Sequence, residues 1–240
     1  MKKPVLEIFI PVHNNSSDIE KNMGVLASFC QKHMKKYNYS IIIADNGSTD
    51  NTKMVAGQII SAVPKVKYYY MPFSGRGRAL RHCWSRSNAD YVCYMDVDLA
   101  TDLSALPPLI DALAQGYDIS VGSKYIKNAE RKRNIVRLIA SKGFNLLTKI
   151  ALLTTFTDAQ CGFKAVNKDV AARVVPLTID NNWFFDTELL YLCEKGGFSR
   201  KEIPVVWRES SKSSVKLIKT CIRFLINLAK LRLRKIKTFK

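Results

Sequence analysis

The sequence has no long hydrophobic run. Although 47% of its 240 residues are hydrophobic, no segment approaches the roughly 20 consecutive apolar residues that a membrane-spanning helix needs. The N-terminus, MKKPVLEIFIPVHNN, begins with two lysines, but Glu7 and Pro11 interrupt its apolar stretch and no small-residue cleavage site follows. We therefore expect no signal peptide and a cytoplasmic protein. The composition is that of a globular chain long enough to bury a substantial core.

Cysteine and histidine patterns that would indicate a zinc site or a disulfide framework are also missing. The six cysteines contain no CxxC pair, and the three histidines do not cluster. Most of the cysteines stand among apolar residues. This placement predicts reduced thiols in the core of a cytosolic protein.

Acidic residues are scarce in two segments of the chain. The formal net charge of +18 divides into +2 for residues 1–123, +7 for 124–149, −1 for 150–211 and +10 for 212–240, and no acidic residue follows Glu209. Such basic segments indicate an anionic partner. On charge alone, a nucleic-acid patch, a membrane-binding module and a phosphate site all stay open.

Five short runs rich in β-branched and aromatic residues predict buried strands, with helix-like stretches between them. These runs are residues 5–12, 39–45, 66–71, 91–98 and 117–123. Strand–helix–strand repetition predicts an α/β fold with a Rossmann-like, mostly parallel sheet flanked by helices. Ligands of such sheets bind beyond the carboxyl ends of the strands.

Polar and acidic groups follow the first four predicted strands, in PVHNN, DNGSTD, MPFSGRGR and DVDLATD. Asp96 and Asp98 are two residues apart, so at a strand end both carboxylates can approach one hard cation such as Mg²⁺ or Mn²⁺. The alternative is that they cap a solvated turn.

The glycines and arginines of residues 74–81 stand at a predicted helix start, where free backbone N–H groups suit phosphate.

Six motifs together carry a resemblance to a known family. They are PVHNN (11–15), DNGSTD (45–50), GRGRALR (75–81), DVDLAT (96–101), VGSKY (121–125) and DAQCGFK (158–164). In this order they resemble the inverting GT-A glycosyltransferases of family 2. More narrowly, they are similar to the synthases of polyprenyl-phosphate sugars, above all dolichyl-phosphate glucose synthases, with the mannose synthases as relatives. The resemblance covers residues 4–210 and implies a GT-A fold.

The resemblance implies a nucleotide-sugar site along the first four strand ends. The residues it assigns to substrate binding there are Pro11, Val12, His13, Asp45, Asp50, Gly75, Arg76, Asp96 and Val97. The metal ligands on the diphosphate would be Asp96 and Asp98. The ion, Mg²⁺ or Mn²⁺, would stabilise the leaving nucleoside diphosphate as a Lewis acid.

The acceptor's phosphate would be held by a second group of residues. Arg137, Ser141 and Asn145 are four residues apart, so they lie along one helical stripe, and the family places the phosphate contact there. The catalytic residues implied by the resemblance are Lys124, Arg137, Ser141 and Asp158. Those implied to hold the sugar hydroxyls are Gln160, Asp186 and Glu188, with a helix-surface acid as the alternative for Glu188.

The function implied is transfer of a hexose from a nucleotide sugar to a polyprenyl or dolichyl phosphate, giving a β-linked product. Mannose synthases often carry a glutamine where this chain has Ala100, which favours UDP-glucose as donor, with GDP-mannose next. An alternative is transfer to a non-lipid hydroxyl, which would need a carboxylate base at Asp158 or Asp186. We expect no nucleic-acid partner, and a homo-oligomer stays open.

The last segment predicts a separate helical unit. We expect a catalytic domain over residues 1–211 and a basic amphipathic helix over 212–240. Basic residues recur there at intervals of three and four, with apolar residues on the remaining arc. Such a helix would attach the protein peripherally to the cytoplasmic face of an anionic membrane. The alternative is that its apolar face packs on the protein's own core or on a second subunit.

Overall fold

The structure is a computed structural model in which strands and helices alternate along the chain. It describes residues 2–132, 135–208 and 217–236, except for the side chains of residues 131, 132, 135–137, 140 and 217–221. The strands are β1 (Val5–Val12), β2 (Asn38–Asn46), β3 (Val66–Met71), β4 (Tyr91–Met95), β5 (Ile119–Ser123), β6 (Glu130–Lys132), β7 (Phe163–Asn167), β8 (Arg200–Pro204) and β9 (Val206–Arg208). The helices are α1 (Ser16–His33), α2 (Thr52–Ala62), α3 (Arg76–Trp84), α4 (Leu106–Ala114), α5 (Ile135–Leu152), α6 (Lys168–Arg173), α7 (Phe185–Lys195) and α8 (Leu217–Leu233).

The main sheet has seven strands in the order β3-β2-β1-β4-β7-β5-β8. β3, β2, β1 and β4 run parallel to one another, as do β5 and β8, whereas β7 is antiparallel to both of its neighbours. The strand order reverses direction at β1, so the loops after β1 to β4 lie side by side at one edge. This confirms the predicted α/β class, with helices on both faces of a mostly parallel sheet.

The apolar runs form strands because both faces of the sheet are covered. In β1, Ile8 and Ile10 face a core cluster that includes α1, α2 and α4, while Phe9 faces a cluster that includes α3, α5, α7 and α8. Successive side chains of a strand point to opposite faces, so a strand buried on both sides needs apolar residues throughout. β4 ends at Met95, which leaves Asp96 and Asp98 in the turn beyond it.

A small second sheet pairs β6 with β9 in parallel register. Trp207 of β9 also bridges to Thr101, just after the turn that carries Asp96 and Asp98. These contacts bring the segment after β8 over the same edge of the main sheet.

Helix α8 rests on the protein through one of its faces. Phe224, Leu228 and Leu231 are buried, and the Phe224 ring lies 5.0 Å from that of Phe144 in α5. Asn227 Nδ2 donates to Asp180 Oδ2 at 3.0 Å. The predicted apolar arc of the helix is therefore divided between the core and solvent, and the predicted domain boundary at 211/212 lies outside the described residues.

The described cysteines are free and buried, as predicted for reduced core thiols. They are Cys30, Cys83, Cys93, Cys161 and Cys193, and the Cys221 side chain lies outside the described residues. Burial raises the pKa of the Cys30 thiol to about 12. Within the parts of the chain that the structure describes, no helix is both long and apolar enough to cross a bilayer.

Candidate active site

The loops after β1 and β2 are tied together by hydrogen bonds. Asn14, at a positive φ of 55°, accepts the Thr49 N–H at 2.8 Å through Oδ1 and donates its own N–H to Ser48 Oγ at 2.9 Å. His13 is exposed, and its Nδ1 lies 3.0 Å from the Asn46 carbonyl oxygen. The structure thus brings the predicted PVHNN and DNGSTD segments into one surface, with Pro11 and Val12 buried beneath it.

Asp45 lies under this surface, away from solvent. Its carboxylate is fully buried and accepts hydrogen bonds from Ser48 N–H at 2.9 Å and from Tyr68 O–H at 2.7 Å. The expected contact with a ribose hydroxyl stays a prediction, and the protein partners make Asp45 the support of the turn. The structural reason is that the strand extends to Asn46 and buries the preceding side chain.

Asp50 also stabilises the local chain, although it is exposed. Its Oδ1 accepts the Thr52 N–H at 3.0 Å, at the start of α2, and its Oδ2 accepts the Ser16 N–H at 3.3 Å. Burial would raise the pKa of Asp50, but the hydrogen bonds from Thr52 and Ser16 outweigh it and lower the pKa. The structure places this side chain at the starts of two helices, at the rim of the predicted nucleotide surface.

The turn before α3 requires glycine at position 75. Gly75 has a φ of 131°, in the region that L side chains rarely adopt, and a Cβ there would collide with the carbonyl oxygen of Asn181. Its N–H donates to Asn46 Oδ1 at 2.9 Å.

Arg76, which follows Gly75, points inward and not into solvent, where it could bind a phosphate. Its side chain is 10% exposed and donates to Asp96 Oδ1 at 2.9 Å and to Asp186.

Asp96 and Asp98 form a two-carboxylate site in the turn after β4. Asp96 is partly exposed and Asp98 is exposed, while Val97 between them is buried and its carbonyl accepts Asn22 Nδ2 at 2.9 Å. Desolvation and then the like charge of Asp96 raise the pKa of Asp98. Two neighbouring carboxylates that repel each other are a donor set that fits one Mg²⁺ or Mn²⁺ ion.

The rest of a cation's ligands would not come from protein. Within the described residues, no group of three or more His, Cys, Asp or Glu side chains is placed to hold a metal ion. Mg²⁺ commonly takes one or two carboxylates and completes its shell with water and substrate phosphates. The site therefore suits a cation that arrives with a diphosphate.

Asp186 is the buried centre of an ionic network behind this site. It is fully buried, lies 2.8 Å from Lys164 Nζ, and accepts hydrogen bonds from Arg76 and Tyr94 O–H. Burial alone would raise the pKa of Asp186, but Lys164 and Arg76 outweigh it and lower the pKa. The expected contact with a sugar hydroxyl is not supported, because protein partners surround the carboxylate.

Lys124 and Asp158, predicted separately as catalytic residues, form a buried ion pair. Lys124 Nζ lies 2.7 Å from Asp158 Oδ2, with the two side chains 8% and 1% exposed. The Lys124 N–H donates to the same carboxylate oxygen at 3.1 Å. Burial would lower the pKa of Lys124, but Cys161 and Asp158 raise it above the ordinary value, so the amine stays protonated at neutral pH.

Helix α5 brings its predicted polar stripe to this ion pair. Ser141 Oγ lies 2.5 Å from Tyr125 Oη, and Asn145 Oδ1 accepts the Ala159 N–H at 2.9 Å. The side chain of Arg137 lies outside the described residues. The stripe therefore faces the segments on either side of Lys124 and Asp158.

The two remaining predicted sugar ligands differ in position. Glu188 is 1% exposed; its Oε2 accepts the Asp180 N–H at 2.9 Å and its Oε1 accepts Arg234 Nη1 at 2.7 Å. It thus fastens α8 to α7, and neither the sugar contact nor the surface-acid alternative describes it. Gln160 is half-buried beside Asp158, whose Oδ1 accepts its N–H at 3.3 Å.

One short segment joins the metal site to the Lys124 end. A Cβ on Gly162 would collide with the Asp96 carboxylate, and Asp158 stands four residues earlier, a span of at most about 14 Å. Burial raises the pKa of the intervening Cys161 thiol to about 11, with Lys124 lowering and Asp96 raising it. Asp96 and the Lys124–Asp158 pair therefore lie at the two ends of one short chain segment.

Several residues of the site were not predicted. Lys164 is fully buried against Asp186, and Tyr94 lies in β4 as part of an apolar run. Trp183 is 45% exposed, and the Arg76 guanidinium lies 4.1 Å from its ring centroid. A lysine inside an apolar strand, as in GFKAV, is the signal that could have pointed to a buried acidic partner.

Most of the chain matches the model of a known family. The model of Glycosyl transferase family 2 matches residues 7–175. This chain belongs to that family, whose GT-A fold was the expectation from the motifs.

Two curated relatives cover most of the chain. Glycosyltransferase AglD of Haloferax volcanii is 28% identical over 216 residues, which are 89% of this chain and 35% of AglD. The dolichyl-phosphate beta-glucosyltransferase of Saccharomyces cerevisiae is 29% identical over 250 residues, which are 95% of this chain and 74% of the yeast protein. The chain thus spans about a third of one relative and three quarters of the other.

A solved structure shares the fold. Glucosyl-3-phosphoglycerate synthase from Mycobacterium tuberculosis, in complex with Mn²⁺, UDP-glucose and phosphoglyceric acid, superposes with a TM-score of 0.68 at 18% identity. The match covers 95% of this chain and 79% of that one. It confirms the architecture of the sheet and its flanking helices.

Proposed function

We propose that this protein transfers glucose from UDP-glucose to a polyprenyl phosphate, with inversion at the anomeric carbon. The observation that carries the proposal is the segment 158–162, which contributes Asp158 to the buried Lys124–Asp158 pair and places Gly162 against the Asp96 carboxylate. Carboxylates that can hold a cation at one end of this segment, and a lysine ammonium at the other, suit a reaction in which an anionic leaving group and an anionic nucleophile flank a sugar carbon. GDP-mannose is the second donor to test.

The donor end would be held by the first three strand loops and the two carboxylates. His13 and Asp50 are exposed at the rim formed by the β1 and β2 loops, where a nucleoside can bind. Asp96 and Asp98 would hold Mg²⁺ or Mn²⁺, which neutralises the departing diphosphate when it is bound. The structural neighbour that was crystallised with Mn²⁺ and UDP-glucose supports a divalent cation and UDP-glucose as what this site binds.

The acceptor end would be held by cations. A phosphate monoester is already anionic near neutral pH, so it needs orientation more than a strong general base. Lys124 and the α5 stripe with Arg137 and Ser141 would orient it. Asp158 is ion-paired and Asp186 is enclosed by Lys164 and Arg76, an arrangement that favours a phosphate acceptor over a hydroxyl that requires a carboxylate base.

The relatives' names support the lipid acceptor, and a polyprenyl chain places the reaction at a membrane surface. The name of the yeast relative describes beta-glucosyl transfer to dolichyl phosphate. Attack opposite the diphosphate would convert an α-linked donor to a β-linked product. We further propose peripheral attachment at the cytoplasmic face, where nucleotide sugars are available.

The test is a transfer assay with the full chain. UDP-glucose, GDP-mannose and UDP-N-acetylglucosamine, each radiolabelled, are incubated with detergent-solubilised polyprenyl phosphate and Mn²⁺ or Mg²⁺, and the lipid product is extracted. We expect a metal-dependent glucolipid whose anomeric configuration is β by NMR. Transfer to a soluble hydroxyl acceptor without transfer to the lipid would overturn the acceptor assignment.

A further inference from the structure

The outer side of helix α5 is apolar, unlike that of a helix that packs on a core and faces water. Its inner side carries Asn145 and Thr148, which are buried, and Ser141, which contacts Tyr125. Its outer side carries Ile139, Leu146 and Ile150, between 60% and 66% exposed. Spacings of seven and four place these three residues on a single stripe. A solvated helix would carry polar residues on that outer side.

Helix α8 shows a second outward apolar stripe. While Phe224, Leu228 and Leu231 pack inward, a set of large apolar side chains at helical spacing is 49% to 83% exposed. This set is Ile222, Leu225, Ile226 and Leu233. Both stripes face away from the core cluster on which the two helices rest.

The two stripes are parts of one surface. The helices are in contact through Phe144 and Phe224 on their inner sides. Leu147 and Leu153 add further exposed apolar area on or next to α5. Single exposed hydrophobic residues are normal on a protein, but a continuous set on adjacent helices marks a surface that is covered by a partner. We call this the α5–α8 face.

The charged residues within α5 and α8 themselves are of one sign. Exposed basic side chains adjoin both stripes: Lys142, Arg223, Lys230, Arg232 and Lys235. No acidic residue occurs in residues 131–157 or 210–240. Apolar stripes on helices whose own charged residues are all basic are complementary to anionic headgroups above acyl chains. A second copy of the same face would bring like charges together.

We propose that the α5–α8 face docks on the surface of an anionic lipid bilayer. Helix α5 supplies half of this surface, in addition to the C-terminal helix that the sequence indicated. The inner side of α5 contacts Tyr125 and Ala159, which flank the Lys124–Asp158 pair. The ion pair is thus about one helix diameter, roughly 10 Å, from the bilayer surface, within reach of a phosphate at headgroup level. The inference rests on the proposed function only in explaining why the protein would bind a membrane. Its evidence, the exposed apolar stripes and the basic residues, does not depend on the lipid acceptor.

The test is flotation of the full chain with vesicles, without donor or acceptor. The vesicles are phosphatidylcholine alone or phosphatidylcholine mixed with phosphatidylserine. We expect binding to the mixed vesicles, and at least about tenfold weaker binding for the double variant Leu146→Gln/Ile150→Gln, since each substitution removes apolar surface from the contact. The matched control is Val25→Gln/Met54→Gln, two exposed positions on α1 and α2, which should bind like the wild type. Circular dichroism checks that all chains are folded.

Two outcomes would overturn the proposal. One is equal binding by the α5 variant and the wild type. The other is a dimer in sedimentation that the α5 variant dissociates, with no vesicle binding by the wild type, since the face would then meet a second copy. The detergent assay of the wild-type chain tests the transferase function separately. If the protein makes glucolipid in detergent but does not bind vesicles, only the docking proposal is refuted. If it binds vesicles but transfers no sugar, only the proposed transferase function is refuted.

Discussion

The carboxylate of Asp96 occupies the space that a side chain at position 162 would need. Gly162 lies directly beside it, and an added Cβ would collide with Asp96 Oδ2. On its other side, Asp96 is held by Arg76, whose Nη1 donates to Oδ1 at 2.9 Å. The position of this carboxylate is therefore fixed from two directions before any cation binds.

Gly162→Ala is expected to lower metal-dependent transfer by tenfold or more while the chain remains folded. The new methyl group must displace Asp96, and overpacking of this kind costs about 1–3 kcal/mol of unfolding free energy. Gly57→Ala is the matched control, because nothing lies within 4 Å of its added Cβ and alanine is favoured in a helix by up to about 1 kcal/mol. Activity and urea unfolding of both variants provide the check, and a fully active Gly162→Ala protein would contradict this view of Asp96.

Asp98→Asn should abolish metal binding with little change in stability. The side chain is exposed and its Oδ1 accepts the Ala100 N–H at 3.1 Å, a hydrogen bond that an amide oxygen can also accept. Electron paramagnetic resonance of Mn²⁺ with UDP would measure the loss, and EDTA should remove the activity of the wild type. Asp169→Asn, on an exposed i,i+4 pair, serves as the control. Undiminished Mn²⁺ binding by Asp98→Asn would remove the metal assignment.

Lys124→Met and Asp158→Asn should each destabilise the protein, and each should eliminate lipid glycosylation. Removal of one partner leaves the other buried charge uncompensated, at a cost of about 3–5 kcal/mol. In the double variant, the loss of unfolding free energy should be clearly smaller than the sum of the two single losses. Chemical denaturation of the four chains gives this coupling, and strict additivity would show that the pair is not coupled.

Asp186→Asn should strongly destabilise the protein. It leaves Lys164 and Arg76 without their shared carboxylate, at about 3–5 kcal/mol, whereas Asp169→Asn should cost under about 1 kcal/mol. Because the pKa of Asp186 is lowered, its stabilising contribution is present above the ordinary value of 3.8 and is lost as the pH falls through the lower folded value. Unfolding free energies at several acidic pH values should therefore depend less on pH in Asp186→Asn, and an unchanged slope would contradict this role.

The sheet edge and its motifs could be predicted from the sequence, because strands buried in a parallel sheet are apolar throughout and a polar loop begins at the carboxyl end of each strand. The direction of β7 was not, since CGFKAVN carries an apolar pattern that fits either orientation between β4 and β5. Sequence also could not separate exposed carboxylates from buried ones. Asp98 is exposed, while Asp45 and Asp186 are fully enclosed by hydrogen-bond donors, and that difference is decided by side chains distant in the chain.

The polar stripe of α5 is a second feature that the sequence predicted only in part. The spacing of Ser141 and Asn145 correctly placed them on one side of a helix. Periodicity does not indicate which side faces inward, and the default assignment puts the polar side toward water. The contacts with Tyr125 and Ala159 reverse that assignment, and so reveal the exposed apolar surface that composition alone assigned to the C-terminal segment.

A single amide, that of Asn46, holds three loops in one arrangement. Its Nδ2 donates to the Val12 carbonyl at 2.5 Å and its Oδ1 accepts the Gly75 N–H at 2.9 Å, so the chain segments after β1, β2 and β3 share one rigid support. An aspartate at position 46 would lack the N–H donor, and a serine side chain would be too short to reach both partners. The surface proposed to bind the nucleotide is consequently shaped in advance, and a nucleotide sugar that binds there would lose little affinity to the ordering of flexible chain.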